Sequence, residues 1–170
     1  MEFKRLGLTL GFLLGPVLFA NQVAHAEQSQ AMTVDGRFFE RGTTAPLLDA
    51  NLQVKFQILN SNLTCLLYEE ERTLNTVSSN GFFKVEVGSE PRSLPTDLSV
   101  RSGSDPNFPM SRIFNNHLNS FPAAAGCAGG YSPSAGEGRV LRIVLVPSST
   151  GIPETLLPVI SLGAVPNAHV

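Results

Sequence analysis

Between Leu52 and Ile58 the chain alternates strictly: Leu52, Val54, Phe56 and Ile58 are apolar, and Gln53, Lys55 and Gln57 between them are polar. A period of two puts the apolar set on one face of a strand and the polar set on the other, which commits the segment to a sheet with one covered face. Other short apolar runs follow, bounded by Gly, Pro, Ser, Asn and Thr, as strands punctuated by turns require. A first strand is read over 33–40, a loop over 41–46, a turn at Asn60-Ser61-Asn62 and an extended run over 65–77. Within that run Glu69-Glu70-Glu71 is awkward for a strand, so at least one of the three must point inward or lie at an edge. Asn80-Gly81 tolerates the positive φ of a tight turn, and Phe82 to Val87 alternates again, so a hairpin from Leu66 to Val87 is expected.

From 88 to 138 the periodicity disappears, and Pro91, Pro95, Pro106, Pro109, Pro122 and Pro133 forbid any long regular element. This stretch reads as an insertion between strands. Within it Met110, Ile113, Phe114 and Leu118 recur at helical spacing, which predicts one short amphipathic helix over Ser111–Leu118, capping an open end of the core. Arg139 to Val146 returns to a β-branched strand, and Glu154 to Leu162 reads as the last. The expected fold is all-β: a compact antiparallel β-sandwich with an irregular insertion carrying one short helix.

The first 26 residues read as an export signal rather than as part of that fold. Lys4 and Arg5 give a positive start, Leu6 to Ala20 is an almost unbroken apolar run, and Ala24-His25-Ala26 is a small-x-small cleavage site. The run is short for a bilayer span and carries Gly15 and Pro16 near its middle. The mature chain is expected to begin near Glu27, as one domain over 27–170 without a membrane span of its own. Without Lys4, Arg5 and Glu2 the remainder carries ten basic and thirteen acidic side chains and has no basic cluster. Phosphate recognition needs concentrated positive charge, so nucleic acid is not an expected partner.

Export changes the meaning of Cys65 and Cys127, the only two cysteines. In an oxidising compartment they are expected to form a disulfide, with free or intermolecular thiols as the alternative. Closing that loop of 62 residues would stabilise the fold by about 4 kcal/mol in the chain-entropy treatment, an upper-end figure. The pair, with His117 and His169 the only histidines after the signal, has no zinc-site spacing, and neither metal nor cofactor is expected.

Candidate chemistry is sparse. A Ser-His-Asp site would have to recruit His117 or His169, and no Gly-x-Ser-x-Gly elbow is present. Glu69 and Glu71 would share one strand face and could form a carboxylate pair for glycoside hydrolysis, with Glu70 on the opposite face. With no tryptophan and two tyrosines to stack a sugar, a solvated or Arg72-paired strand edge is the better reading. Asp105 and Asn107 lack the dense oxygen spacing of a calcium loop. Asn62-Leu63-Thr64 fits a glycosylation acceptor, which matters only in a eukaryotic secretory route. Phe108, Phe114 and Phe121 are either a satellite core under the insertion or an exposed contact patch. Core is the first reading; if even one of them is exposed beside Arg112 and Tyr131, it becomes the best binding candidate, since aromatic and arginine side chains dominate interface hot spots.

In order along the chain, Val34-Asp35-Gly36-Arg37, Val54-Lys55-Phe56-Gln57-Ile58, Cys65-Leu66-Leu67-Tyr68-Glu69-Glu70, Asn80-Gly81-Phe82-Phe83-Lys84-Val85 and Val87-Gly88 form a series. It continues with Cys127, the run from Tyr131 to Ile143, and Ser161 to Ala168. The series resembles a β-rich module found at the N-terminal ends of exported bacterial surface and fibre proteins, including trimeric adhesive fibres of predatory bacteria. The closing Pro166-Asn167-Ala168 stands where that module usually reads Pro-Tyr-Ala. The resemblance implies a non-enzymatic recognition or adhesion role, in the periplasm, at the outer surface or secreted. A cell-surface protein or glycan is the implied partner, with a homo-oligomer or a larger fibre protein as the assembly alternative. A secreted glycoside hydrolase is the remaining reading.

Overall fold

The computed structural model describes residues 31–88, 103–117, 120–156 and 158–163. The stretch read as an export signal, residues 89–102, Leu118 and the closing segment from 164 lie outside the described residues. The strands are β1 (Met32–Arg37), β2 (Leu52–Asn60), β3 (Leu66–Leu74), β4 (Phe82–Val87), β5 (Arg139–Val146), β6 (Glu154–Thr155) and β7 (Ile160–Leu162). One short helix, α1 (Met110–Ile113), stands between β4 and β5.

The alternating segment is β2, and it is the centre of the larger sheet. It pairs antiparallel with β3 on one side and β5 on the other, and β5 carries β6 and β7 along its far edge. β1 and β4 make a separate antiparallel pair. Leu52, Val54, Phe56 and Ile58 of β2 are buried with Leu141, Ile143 and Leu145 of β5, and Val34, Phe38, Val85 and Val87 close the same core from the second sheet. Phe83 spans the two layers, stacked on Phe38 at 4.1 Å and tilted against Phe56 at 6.4 Å. The fold is therefore an antiparallel β-sandwich, as the alternation requires.

The hairpin from Leu66 to Val87 does not form. β3 pairs with β2 and β4 with β1, so the two runs lie in different sheets. Asn80 and Gly81 do take positive φ, 54° and 84°, but they end a seven-residue link from Asn75 to Gly81 rather than a two-residue turn. Fully buried Thr76 anchors that link: its N–H donates to the Asp49 carbonyl at 2.8 Å and its hydroxyl accepts the Asp49 N–H at 2.8 Å. The chain crosses from one layer to the other there, and this lets the apolar faces of both runs meet the core.

Glu70 shows why β3 can carry three glutamates. Its side chain is 0% exposed and points into the core face beside Tyr68, opposite Phe56. It accepts hydrogen bonds from the Tyr68 hydroxyl, from Arg72 Nε at 3.1 Å and from the Gly88 N–H at 3.0 Å. Gly88 immediately follows β4, so this carboxylate ties the two sheets together. A buried charge with a cationic partner and further donors is tolerated where a lone one would not be. The solvated, Arg72-paired edge is thus half corrected: Glu70 has the arginine but is fully buried.

Smaller corrections follow from backbone chemistry. The first strand ends at Arg37, and its continuation bridges Phe39 to Pro46. The last strand is split into β6 and β7, with Pro158, which has no N–H to give a ladder, between them. The helix covers Met110–Ile113 and not Ser111–Leu118, because the Ile113 carbonyl is taken by Arg139 Nε at 2.8 Å and Phe114 turns out of the helix at φ −92° and ψ 0°.

Candidate functional site

The insertion residues singled out by sequence do come together, around a small bridge in the chain. Phe121 and Tyr131 pair across it, with N–H to carbonyl distances of 2.6 and 2.9 Å, and their rings stack at 5.7 Å. Phe108 meets Phe121 edge-on at 4.9 Å. The Arg112 guanidinium, presented by α1, lies over both phenylalanines at 5.2 and 5.3 Å. Phe121 is 1% and Phe108 6% exposed, so these two rings belong to the core. Arg112, Phe114 and Tyr131 are half-buried and keep surface that a ligand can touch.

Arg139, at the start of β5, holds this cluster from beneath. It is buried, yet every edge of its guanidinium is used: Nε donates to the Ile113 carbonyl, Nη1 to the Tyr131 hydroxyl at 3.1 Å and to the Glu137 and Gly138 carbonyls, and Nη2 to Asn116 Oδ1 at 2.7 Å. Glu137 completes the charge balance. Burial pushes its carboxyl up, but bonds from the Ser61 hydroxyl, the Ser134 N–H and the Tyr131 hydroxyl, with the Arg139 charge, outweigh that and hold it below the ordinary carboxylate range. Burial and the bond to Glu137 raise the Tyr131 phenol well above its usual value, so it stays a neutral donor.

The disulfide closes the other side of the insertion. Cys65 and Cys127 are bonded, with Cα atoms 4.3 Å apart, and both are buried. The Leu66 N–H donates to the Gly126 carbonyl at 3.0 Å, which lays the cysteine loop along the end of β3. Gly126 has φ +75°, and a Cβ there would lie 2.8 Å from Leu66 Cβ, so only glycine fits this approach.

The glutamate pair lies on the polar face of the larger sheet. Glu69 and Glu71 both reach Lys55, at 3.8 and 3.4 Å, and buried Glu69 also accepts from Gln57, whose Oε1 receives Arg142 Nε at 2.6 Å. These contacts account for the pair as a cross-strand charge ladder. Asp105 uses its two oxygens on the Glu69 and Asn107 N–H groups, at 2.9 and 3.0 Å, fastening the insertion to β3. His117 is exposed, and its backbone N–H donates to Asn115 Oδ1. His169 lies outside the described residues. Among the described residues no group of three His, Cys, Asp or Glu side chains is placed to hold a metal ion, and no helix is long and apolar enough to cross a membrane.

A second arginine–aromatic cluster escaped the sequence reading. Arg37 of β1 lies over the Phe39 ring at 5.4 Å and over the Phe82 ring of β4 at 4.9 Å, and its Nε donates to the Asn80 carbonyl at 2.9 Å. Here both rings are open, Phe39 at 48% and Phe82 at 56%. The placement follows from register: Arg37 is directly opposite Phe82, and Phe39 is two residues further along the same face. Alternation from buried Val34, Phe38 and Val85 would have put Arg37, Phe39 and Phe82 outward, but only once β1 and β4 were known to pair. No family model, curated protein or solved structure matches the chain.

Proposed function

We propose that this chain is an exported, non-enzymatic contact module that recognises a cell-envelope protein or a glycan. The observation that carries the reading is the outward cluster of Arg37 between two open phenylalanine rings on a disulfide-clamped sandwich. Large apolar rings in water are unfavourable unless something covers them, and a guanidinium among aromatics is the chemistry that interface hot spots favour. The disulfide fits an oxidising compartment. The half-buried Arg112, Phe114 and Tyr131 of the insertion offer a second contact face, held on a rigid base of Phe121 and Arg139. Assembly with a larger surface fibre is the second reading, favoured by β1, whose pairing among the described residues is with β4 alone.

The test is binding of the purified protein to whole cells, envelope extracts and a glycan array. Binding that is lost on Phe82→Ser or on replacing residues 104–122, and kept in Glu69→Gln with Glu71→Gln, supports recognition. Release of sugar that depends on Glu69 and Glu71 would replace it with hydrolysis.

A further inference from the structure

Among the described residues one edge of β1 carries no partner strand. The Phe38 N–H donates to the Gly81 carbonyl at 2.9 Å, and Phe38 stands directly opposite Gly81 in the register that pairs Arg37 with Phe82. In an antiparallel ladder, residues whose backbone groups face the partner alternate with residues whose groups face away. Even-numbered residues of β1 therefore bond to β4, and Thr33, Asp35 and Arg37 direct their N–H and C=O groups outward. Among the described residues no other strand takes them up.

We propose that a second copy of this chain occupies that edge, in a two-fold antiparallel pairing of β1 with β1 centred on Gly36. The charges select this register. An axis at Asp35 would set Asp35 against its own copy, and an axis at Arg37 would do the same to Arg37, both like-charge pairs. An axis at Gly36 sets Asp35 opposite Arg37 twice and Thr33 opposite Phe39 twice. Opposite charges directly across a sheet stabilise it and like charges destabilise it. Gly36 falls at the close, non-hydrogen-bonded position, where Cα atoms approach to about 4.5 Å and a side chain would crowd the inner face already filled by Phe83. Arg37 keeps its stack on Phe39 and Phe82, because its only hydrogen bond among the described residues uses Nε and leaves both outer nitrogens for the carboxylate of the second copy. The product is a four-stranded sheet, β4–β1–β1–β4, with both arginine–aromatic clusters on one outer face. Two weak contacts on one rigid body bind a multivalent surface far more tightly than one. The pairing itself does not rest on the recognition reading: a chain that dimerises but binds no cell would leave it standing.

Sedimentation velocity on the full chain, expressed for export and purified with its disulfide intact, tests this. The wild type is expected to dimerise with a Kd in the range of roughly 1–100 µM, as a small edge interface implies. Asp35→Arg, which sets arginine against arginine, should return it to monomer, as should Arg37→Asp, and combining the two should restore the dimer with the charges exchanged. Thr33→Pro removes one outward N–H without touching a bond to β4 and should weaken the dimer about tenfold, the equivalent of about 1.4 kcal/mol. It carries the test if a charge variant fails to fold. A wild type that stays monomeric at about 1 mM would overturn the proposal, whether or not another protein's strand binds the edge. A dimer indifferent to both Asp35→Arg and Thr33→Pro would also overturn it.

Discussion

The two arginine–phenylalanine clusters are built from the same parts and sit in opposite surroundings. Arg112 sits over Phe108 and Phe121 at 5.2 and 5.3 Å, and Arg37 over Phe39 and Phe82 at 5.4 and 4.9 Å. Geometry alone does not separate them. What separates them is what lies underneath: Phe108 and Phe121 are themselves core, whereas Phe39 and Phe82 stand on the outer face of a sheet whose inner face already has Phe38, Phe83 and Val85. Arg112 covers buried rings, while Arg37 lies between rings that are open to solvent. The first cluster should respond to mutation in stability and the second in binding.

The largest expected effect tests the scaffold half. Phe121→Ala empties a fully buried site stacked by Tyr131 and Phe108, and should cost about 3–5 kcal/mol in urea or thermal unfolding. Replacing both cysteines by alanine, or adding reductant, should cost about 2–4 kcal/mol, with hydrogen exchange quickening first around residues 120–131. A native protein whose two thiols alkylate without reductant would contradict the clamp. Gly126→Ala forces a side chain into the Leu66 contact at positive φ and should cost at least about 1 kcal/mol, read as a fall in the unfolding midpoint.

Acid provides a gentler probe of the same base. Burial pushes Asp49 up, but the N–H groups of Asn51 and Ser148 and the Ser148 hydroxyl hold it below the ordinary carboxylate range, and Glu137 is lowered likewise. A carboxylate lowered by folding adds stability that is fully present above its unfolded value, roughly pH 4, and is lost as the pH falls through its folded value. Unfolding midpoints should therefore be level from neutral pH down to that range and drop below it. Glu137→Gln should flatten the drop, and an unchanged acid profile would remove Glu137 from the account. The smallest stability effect belongs to Phe82→Ser, within about 0.5 kcal/mol of wild type.

The sequence made one kind of information legible and withheld another. The alternation of Leu52 to Ile58, the paired cysteines and the positive-φ pair Asn80-Gly81 each declare a local geometry, and each is found in place. Alternation states which residues share a face; it does not state which strand lies alongside. That is why alternation suggests a hairpin between β3 and β4, and why it does not show Phe39 and Phe82, far apart in sequence, as neighbours. Glu70 was hidden for a related reason: a glutamate reads as wet until Tyr68, Arg72 and the Gly88 N–H are seen around it. The insertion aromatics are legible because they cluster in sequence, but the Tyr131 hydroxyl is fixed by Arg139, which approaches from a strand beyond the insertion.

Recognition is proposed to rest first on the open Arg37 cluster, with the half-buried insertion face secondary to it. Binding of Phe82→Ser and wild-type protein to the same cells, envelope extract or glycan array, with melting curves on both samples, tests it most directly. Superimposable melting curves and a loss of binding of at least about tenfold are expected, the size of a hot-spot residue. Undiminished binding by a normally folded Phe82→Ser protein would contradict it.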